Sequence, residues 1–146
     1  LIENGKIMEL TDPSNRLGGY TRMFIPAVDY LKALRIRGIA AEIVDKAMEG
    51  FDAWVAPSRP SVAPPIDRDF RGVFSPGGDI MGGVGNGLGL PSVSIPNGFS
   101  EEGLPTGIQF MGRAYSENSV LAAANAYQAI TDWHNRHPDS VIPSDT

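Results

Sequence analysis

The chain has 146 residues, a formal net charge of −5, and 42% hydrophobic against 20% charged residues. At this length folding buries roughly 68–70% of the unfolded surface, so a core is available, and the ordinary apolar-to-charged balance excludes intrinsic disorder. The acidic balance argues against direct nucleic-acid binding, which needs clustered Lys and Arg, and the absence of cysteine excludes disulfides and thiolate metal sites.

No apolar run approaches the ~18 residues of a membrane span, and no signal-peptide pattern is visible. The expectation is no membrane insertion and a cytoplasmic location. The sequence opens on Leu1 rather than on methionine, and its first residues do not look like the start of a domain. It reads as a piece of something longer.

Residues 1–20 are polar and irregular, with a turn cluster at Thr11-Asp12-Pro13-Ser14-Asn15. A long helix is expected from Pro26 to Glu49. Val28, Leu31, Ile36, Ile39, Ala40, Ile43, Ala47 and Met48 recur near the helical period and should form its buried face. Asp29, Lys32, Glu42, Asp45, Lys46 and Glu49 should form the wet face. Pro26 suits the first turn and Gly50 the position after the last. The expected role is an amphipathic cover for a sheet.

Phe51–Ala56 reads as a short strand, ended by Pro57 and a proline-stiffened loop through Pro60, Pro64 and Pro65. Asp67–Ser75 is polar and reads as loop. Pro91–Phe99 and Pro105–Gly112 read as two strands joined through Ser100-Glu101-Glu102-Gly103, a hairpin connection. Ser116 should cap a second helix from Glu117 to about His134, with Val120, Leu121, Ala124, Tyr127, Ile130 and Trp133 on one face.

Pro76–Gly112 holds most of the glycine and invites a phosphate-loop reading. No run fits G-x-x-x-x-G-K-[ST], since no lysine follows Lys46. The dinucleotide pattern fails as well: after Gly83 and Gly85 the third glycine position holds Leu88, and after Gly85 and Gly87 it holds Leu90. Nucleotide binding is therefore disfavoured. The remaining reading is structural, a glycine-rich turn and helix that lie close to a neighbouring element. Asp79, after Gly77-Gly78, reads as a helix N-cap. His134 and His137 read as solvated tail residues rather than ligands of a metal site. Glu101-Glu102 reads as a hairpin tip. No G-x-S-x-G elbow occurs. The residues by themselves give an α/β piece with no visible catalytic set and no cofactor.

Three stretches carry a resemblance: FDAWVAPSRPSVAPPID, GLPSVSIPNGFSEEGLPTGIQFMGR and YSENSVLAAANAYQAITDWHNRHP. Together they resemble the C-terminal third of the amidase signature family, which includes bacterial amidases and the A subunit of glutamyl-tRNA amidotransferase. The match runs from about Arg16 to Pro138. The two GLP elements framing one hairpin are its specific part. The resemblance implies an α/β fold, a mixed sheet flanked by helices, with residues 1–146 the C-terminal portion of a single domain. It implies hydrolysis of amide bonds by a lysine, a bridging serine and a nucleophilic serine, without a cofactor or metal.

The family's catalytic motifs are not in this sequence: no two serines are adjacent, and Lys6, Lys32 and Lys46 sit in non-matching contexts. No catalytic residue is therefore assigned. The resemblance places two substrate contacts, Asp79 for an amino group and Arg16 for a carboxylate, with Met81, Val84 and Trp54 as apolar walls. It implies as partners the missing N-terminal catalytic part of the same protein and a small amide substrate, and leaves room for homo-oligomerisation. The competing reading is a non-catalytic subunit or binding module derived from the same fold.

Overall fold

The structure, a computed structural model, describes residues 2–12, 16, 18, 20–67 and 80–137. They fall into two compact units, Leu1–Ala40 and Ala41–Thr146. In the first unit a 3-10 turn, Lys6–Glu9, buries Ile7, and a second one spans Arg22–Phe24. The long helix α1, Ala27–Ala47, starts in the first unit and ends in the second. It begins where expected: the Pro26 carbonyl accepts from the Asp29 and Tyr30 amides at 3.0 and 3.1 Å.

The expected buried face of α1 is met only at its C-terminal end. Val28 (69%), Leu31 (53%), Ile36 (57%), Ile39 (61%) and Ile43 (63%) are exposed, whereas Ala40 is half-buried and Met48 fully buried as expected, with Ala41 and Val44 half-buried beside them in sequence. Ala41, Val44 and Met48 form a second stripe at spacings of three and four. The helix is thus apolar on two sides rather than one.

The second unit is built on a three-stranded antiparallel sheet in the order β1-β3-β2, with β1 Trp54–Pro57, β2 Ser92–Phe99 and β3 Pro105–Met111. The glycine run forms helix α2, Ile80–Leu88. Helix α3, Glu117–Ala129, follows the sheet. This is the α/β architecture read from the sequence; the described strands are antiparallel throughout.

Register sorts the two sheet faces. Val55 and Val93 flank Phe110, and Pro57 and Ile95 flank Ile108, so these side chains share one face. Against it α3 lays Val120 and Ala124, closing a core of Ile95, Phe110, Val120 and Ala124 with Val93, Ile108, Ala123 and Tyr127 around it. Each large apolar side chain buried there contributes about 1.5–3 kcal/mol. Phe110 and Tyr127 tilt against each other with ring centroids 6.1 Å apart.

α3 stops short of the expected His134. The Thr131 hydroxyl donates to the Tyr127 carbonyl at 2.9 Å, taking an acceptor that a continuing helix would use. Trp133–Asn135 forms a separate 3-10 turn, with Trp133 edge-on to Phe99 and the Arg136 guanidinium stacked 4.5 Å from the Trp133 ring. Leu121 and Ile130, placed on the apolar face by periodicity, are 55% and 83% exposed. Ser116 stands at the N-cap position, but its hydroxyl donates backwards to the Arg113 carbonyl at 2.6 Å instead of capping α3.

Candidate functional site

The β2–β3 hairpin carries the two GLP elements. Its turn closes through the Ser100 amide to the Leu104 carbonyl (2.8 Å), the Gly103 amide to the Ser100 carbonyl (3.0 Å) and the Leu104 amide to the Ser100 hydroxyl (3.3 Å). Pro96 has no N–H to give to the ladder, and the register slips between Pro96 and Gly98. Thr106 bridges the slip by donating to Asn97 Oδ1 at 2.8 Å. Glu101 and Glu102 are exposed at the turn, as expected of a hairpin tip. The Ser100 hydroxyl and a backbone amide hold the Glu102 carboxyl below its ordinary pKa.

The sheet face opposite α3 is small and polar around Ala56, Ser94 and Gln109 and apolar around Trp54 and Met111. Ser94 and Gln109 face the same way as Ala56, and Met111 lies beside Trp54 and Ser92. Ser58 and Ser94, from the two outer strands' side, share a hydrogen bond across the central strand. Gly107 lies beneath them, where a Cβ would come 2.8 Å from the Ser58 Oγ. The Ser58 amide donates to the Gly107 carbonyl at 2.8 Å. The sequence pattern did not single out this hydroxyl bridge. Its signal was the pairing register, which aligns positions 36 residues apart and is invisible to local pattern.

α2 packs on the same face. Gly85 is buried, and a Cβ there would sit 3.0 Å from the Met111 sulfur. This is the close approach expected of the glycine run. Met81 and Val84, two of the expected apolar walls, are half-buried on α2, and so is Trp54 on β1.

Ala41 and Val44 of α1 and Met48 just after it line a groove of about 300 Å³ together with Leu88, Leu90 and Ala114. Its charged edge is Arg113, which donates through Nε and Nη2 to the two Asp45 carboxylate oxygens, each at 2.7 Å. Asp45, expected to be solvated, is thus fixed by a fork-to-fork pair. The hydrogen bonds from Arg113, followed by its positive charge, lower the Asp45 pKa, and the pairing raises that of Arg113. A carboxyl with a lowered folded-state pKa adds stability above its unfolded pKa and loses it as pH falls through the folded value. The melting temperature should therefore drop on acidification through the carboxylate range. Arg113→Gln should flatten the part of that drop owed to Asp45, while Asp132, lowered by its hydrogen bonds from Arg136, retains its own part. Melting curves across acidic pH for both proteins check this; parallel curves would contradict it.

Of the two expected substrate contacts, Asp79 lies outside the described residues. Arg16 is half-buried in the first unit: its Nε donates to the Leu10 carbonyl and its amide to the Asp12 carbonyl at 3.3 Å. That anchoring uses one of five guanidinium N–H groups, and the Nη pair is the part suited to a carboxylate. Ser58 and Ser94 bond to each other, Ser100 to the Leu104 amide and the Glu102 carboxyl, and Ser116 to the Arg113 carbonyl, with no lysine or histidine among these partners. His134 and His137 are exposed, and no group of three or more His, Asp or Glu that could hold a metal occurs among the described residues. No helix among them is long and apolar enough to cross a membrane.

Comparison with known proteins places these elements. The family model described as Amidase matches residues 9–121. The A subunit of the Neisseria meningitidis glutamyl-tRNA(Gln) amidotransferase is 39% identical over 110 residues, 75% of this chain and 23% of that protein. Among solved structures, one described as an amidase superposes with a TM-score of 0.70 at 25% identity, covering 84% of this chain and 29% of the other. The A subunit of the Thermotoga maritima glutamyl-tRNA(Gln) amidotransferase superposes with a TM-score of 0.62 at 26% identity, covering 79% and 24%. The chain thus spans about a quarter of the length of the relatives it matches.

Proposed function

This chain belongs to the amidase family, and we propose that it is the C-terminal portion of one amidase-signature domain in a longer hydrolase of amide carbon–nitrogen bonds. The observation that carries this reading is a family match over residues 9–121 within relatives of which the chain covers only 23%. In this reading the Ser-Ser-Lys triad lies in the N-terminal catalytic part of the same protein. A neutral lysine, acting through the bridging serine, takes the proton of the nucleophilic serine as it attacks the amide carbonyl. Backbone N–H groups stabilise the oxyanion, and the proton leaves with the amine. Water then releases the acid.

This chain contributes positioning rather than bond-making. Arg16, already tethered through Nε, offers its Nη groups to a substrate carboxylate, and Asp79 offers its carboxylate to a substrate amino group. Within the second unit the hairpin and α2 supply a rigid frame. Removing a hydrogen bond to a charged group costs about 1.5–3 kcal/mol. Arg16→Ala or Asp79→Ala in the amidase-length protein should therefore raise KM for a small amino-acid amide by about tenfold or more, with a smaller change in kcat. Steady-state ammonia release checks this. Unchanged KM in both variants would remove the two substrate contacts, and no hydrolysis by the amidase-length protein would favour a non-catalytic module.

A further inference from the structure

From Ala27 to Ile39 every side chain of α1 is exposed, and one of its faces combines apolar and basic residues. Val28, Lys32, Arg35 and Ile39 follow at intervals of four, three and four, which keeps them on one face, and Leu31 and Ile36 flank them. The four apolar members are 53–69% exposed. A cluster of this kind marks an interaction surface rather than a solvated one. Lys32 and Arg35 make no ion pair among the described residues. The patch is thus apolar and basic on a chain whose net charge is −5.

Resting on the proposed amidase function, we infer that this face is an interior surface. Its occupant is an apolar segment bearing acidic side chains, from the part of the amidase-length protein that this chain does not span. Two observations choose that occupant. The chain covers 23% of its amidotransferase relative, so most of such a protein is available to cover the face. The charge is wrong for a second copy: a two-fold interface centred on the stripe sets Lys32 and Arg35 against themselves, which costs rather than gains. An acidic partner surface neutralises both cations, while the β-branched Val28, Ile36 and Ile39 pack against its apolar groups.

The test uses cysteine reactivity, since these 146 residues contain no cysteine. Val28→Cys and Ile39→Cys are placed separately in the amidase-length protein, with Glu101→Cys on the exposed β2–β3 turn as reference. A maleimide pulse followed by peptide mapping reads each position. Cysteines 28 and 39 should react at least about tenfold more slowly than cysteine 101, because labelling requires local opening. Equal rates at all three positions would overturn the inference. So would a dimer of the amidase-length protein that Ile39→Glu dissociates. Co-flotation with phosphatidylglycerol vesicles, abolished by Lys32→Glu with Arg35→Glu, would assign the face to an anionic membrane surface and overturn it equally. The readout needs no turnover. Protected cysteines in an inactive protein sink the catalytic reading alone, and reactive cysteines in an active hydrolase sink this inference alone.

Discussion

Phe110→Ala is expected to lower the free energy of unfolding by about 3–5 kcal/mol. Phe110 lies on the central strand, 7% exposed, between Val55 and Val93 and against Val120 and Ala124. Strands on both sides and α3 above fix their positions through the ladder and the core. The cavity has little means of collapsing, and its cost adds to the lost transfer energy. The aromatic contact with Tyr127 goes too, worth about 0.5–1.5 kcal/mol beyond area. Urea titration followed by far-ultraviolet circular dichroism measures the change. Leu121→Ala on the exposed side of α3 is the control, expected within about 0.5 kcal/mol of the parent. A Phe110→Ala loss below about 1 kcal/mol would mean that this core does not hold the second unit together.

The second large effect is at Gly112, where β3 hands over to α3. A Cβ at this position would come 2.5 Å from Val120 Cγ2 and would also collide with the Ser116 hydroxyl. Ser116 has somewhere to go, though moving it breaks its bond to the Arg113 carbonyl. Val120 does not: it is 2% exposed and packed in the core. Gly112→Ala therefore pushes α3 off the sheet, and the overpacking should cost about 1–3 kcal/mol. Adding Val120→Ala to Gly112→Ala removes the collision. The double variant should lose less than the sum of the single losses, with a coupling of about 0.5 kcal/mol or more. Strict additivity in a double-mutant cycle would contradict this account of the β3–α3 corner.

The sequence made the elements themselves legible because their signals are local. Pro26 and Gly50 bracket α1, the GLP runs bracket the hairpin, and Ser100–Gly103 has the composition of a turn. Packing was less legible. The period of Val28, Leu31, Ile39 and Ile43 is real, but a helix apolar on two sides gives periodicity no means of telling which side its own unit buries. The end of α3 was misplaced because Thr131 competes for a carbonyl that the apolar spacing ignores. The Ser58–Ser94 bridge and the Arg113–Asp45 pair depend on long-range register, which no window of sequence contains.

For the candidate site, recognition of the two spaced GLP elements carried more than any single side chain. It led to the family that the match over residues 9–121 shows. The resemblance also named Arg16 and Asp79 as expected substrate contacts, at positions where local pattern offers only a loop arginine and a helix cap. In the structure the Arg16 Nε donates to the Leu10 carbonyl.

The most direct test of the central claim is an amide-hydrolysis assay, read as ammonia release, on two purified proteins: these 146 residues alone and the amidase-length protein that contains them. The expected result is turnover by the longer protein and none by the chain alone, with Ser58→Ala and Ser94→Ala leaving kcat of the longer protein within a few-fold. Turnover by the 146-residue chain, abolished by substituting one of its own serines or lysines, would place the catalytic groups here and contradict the account.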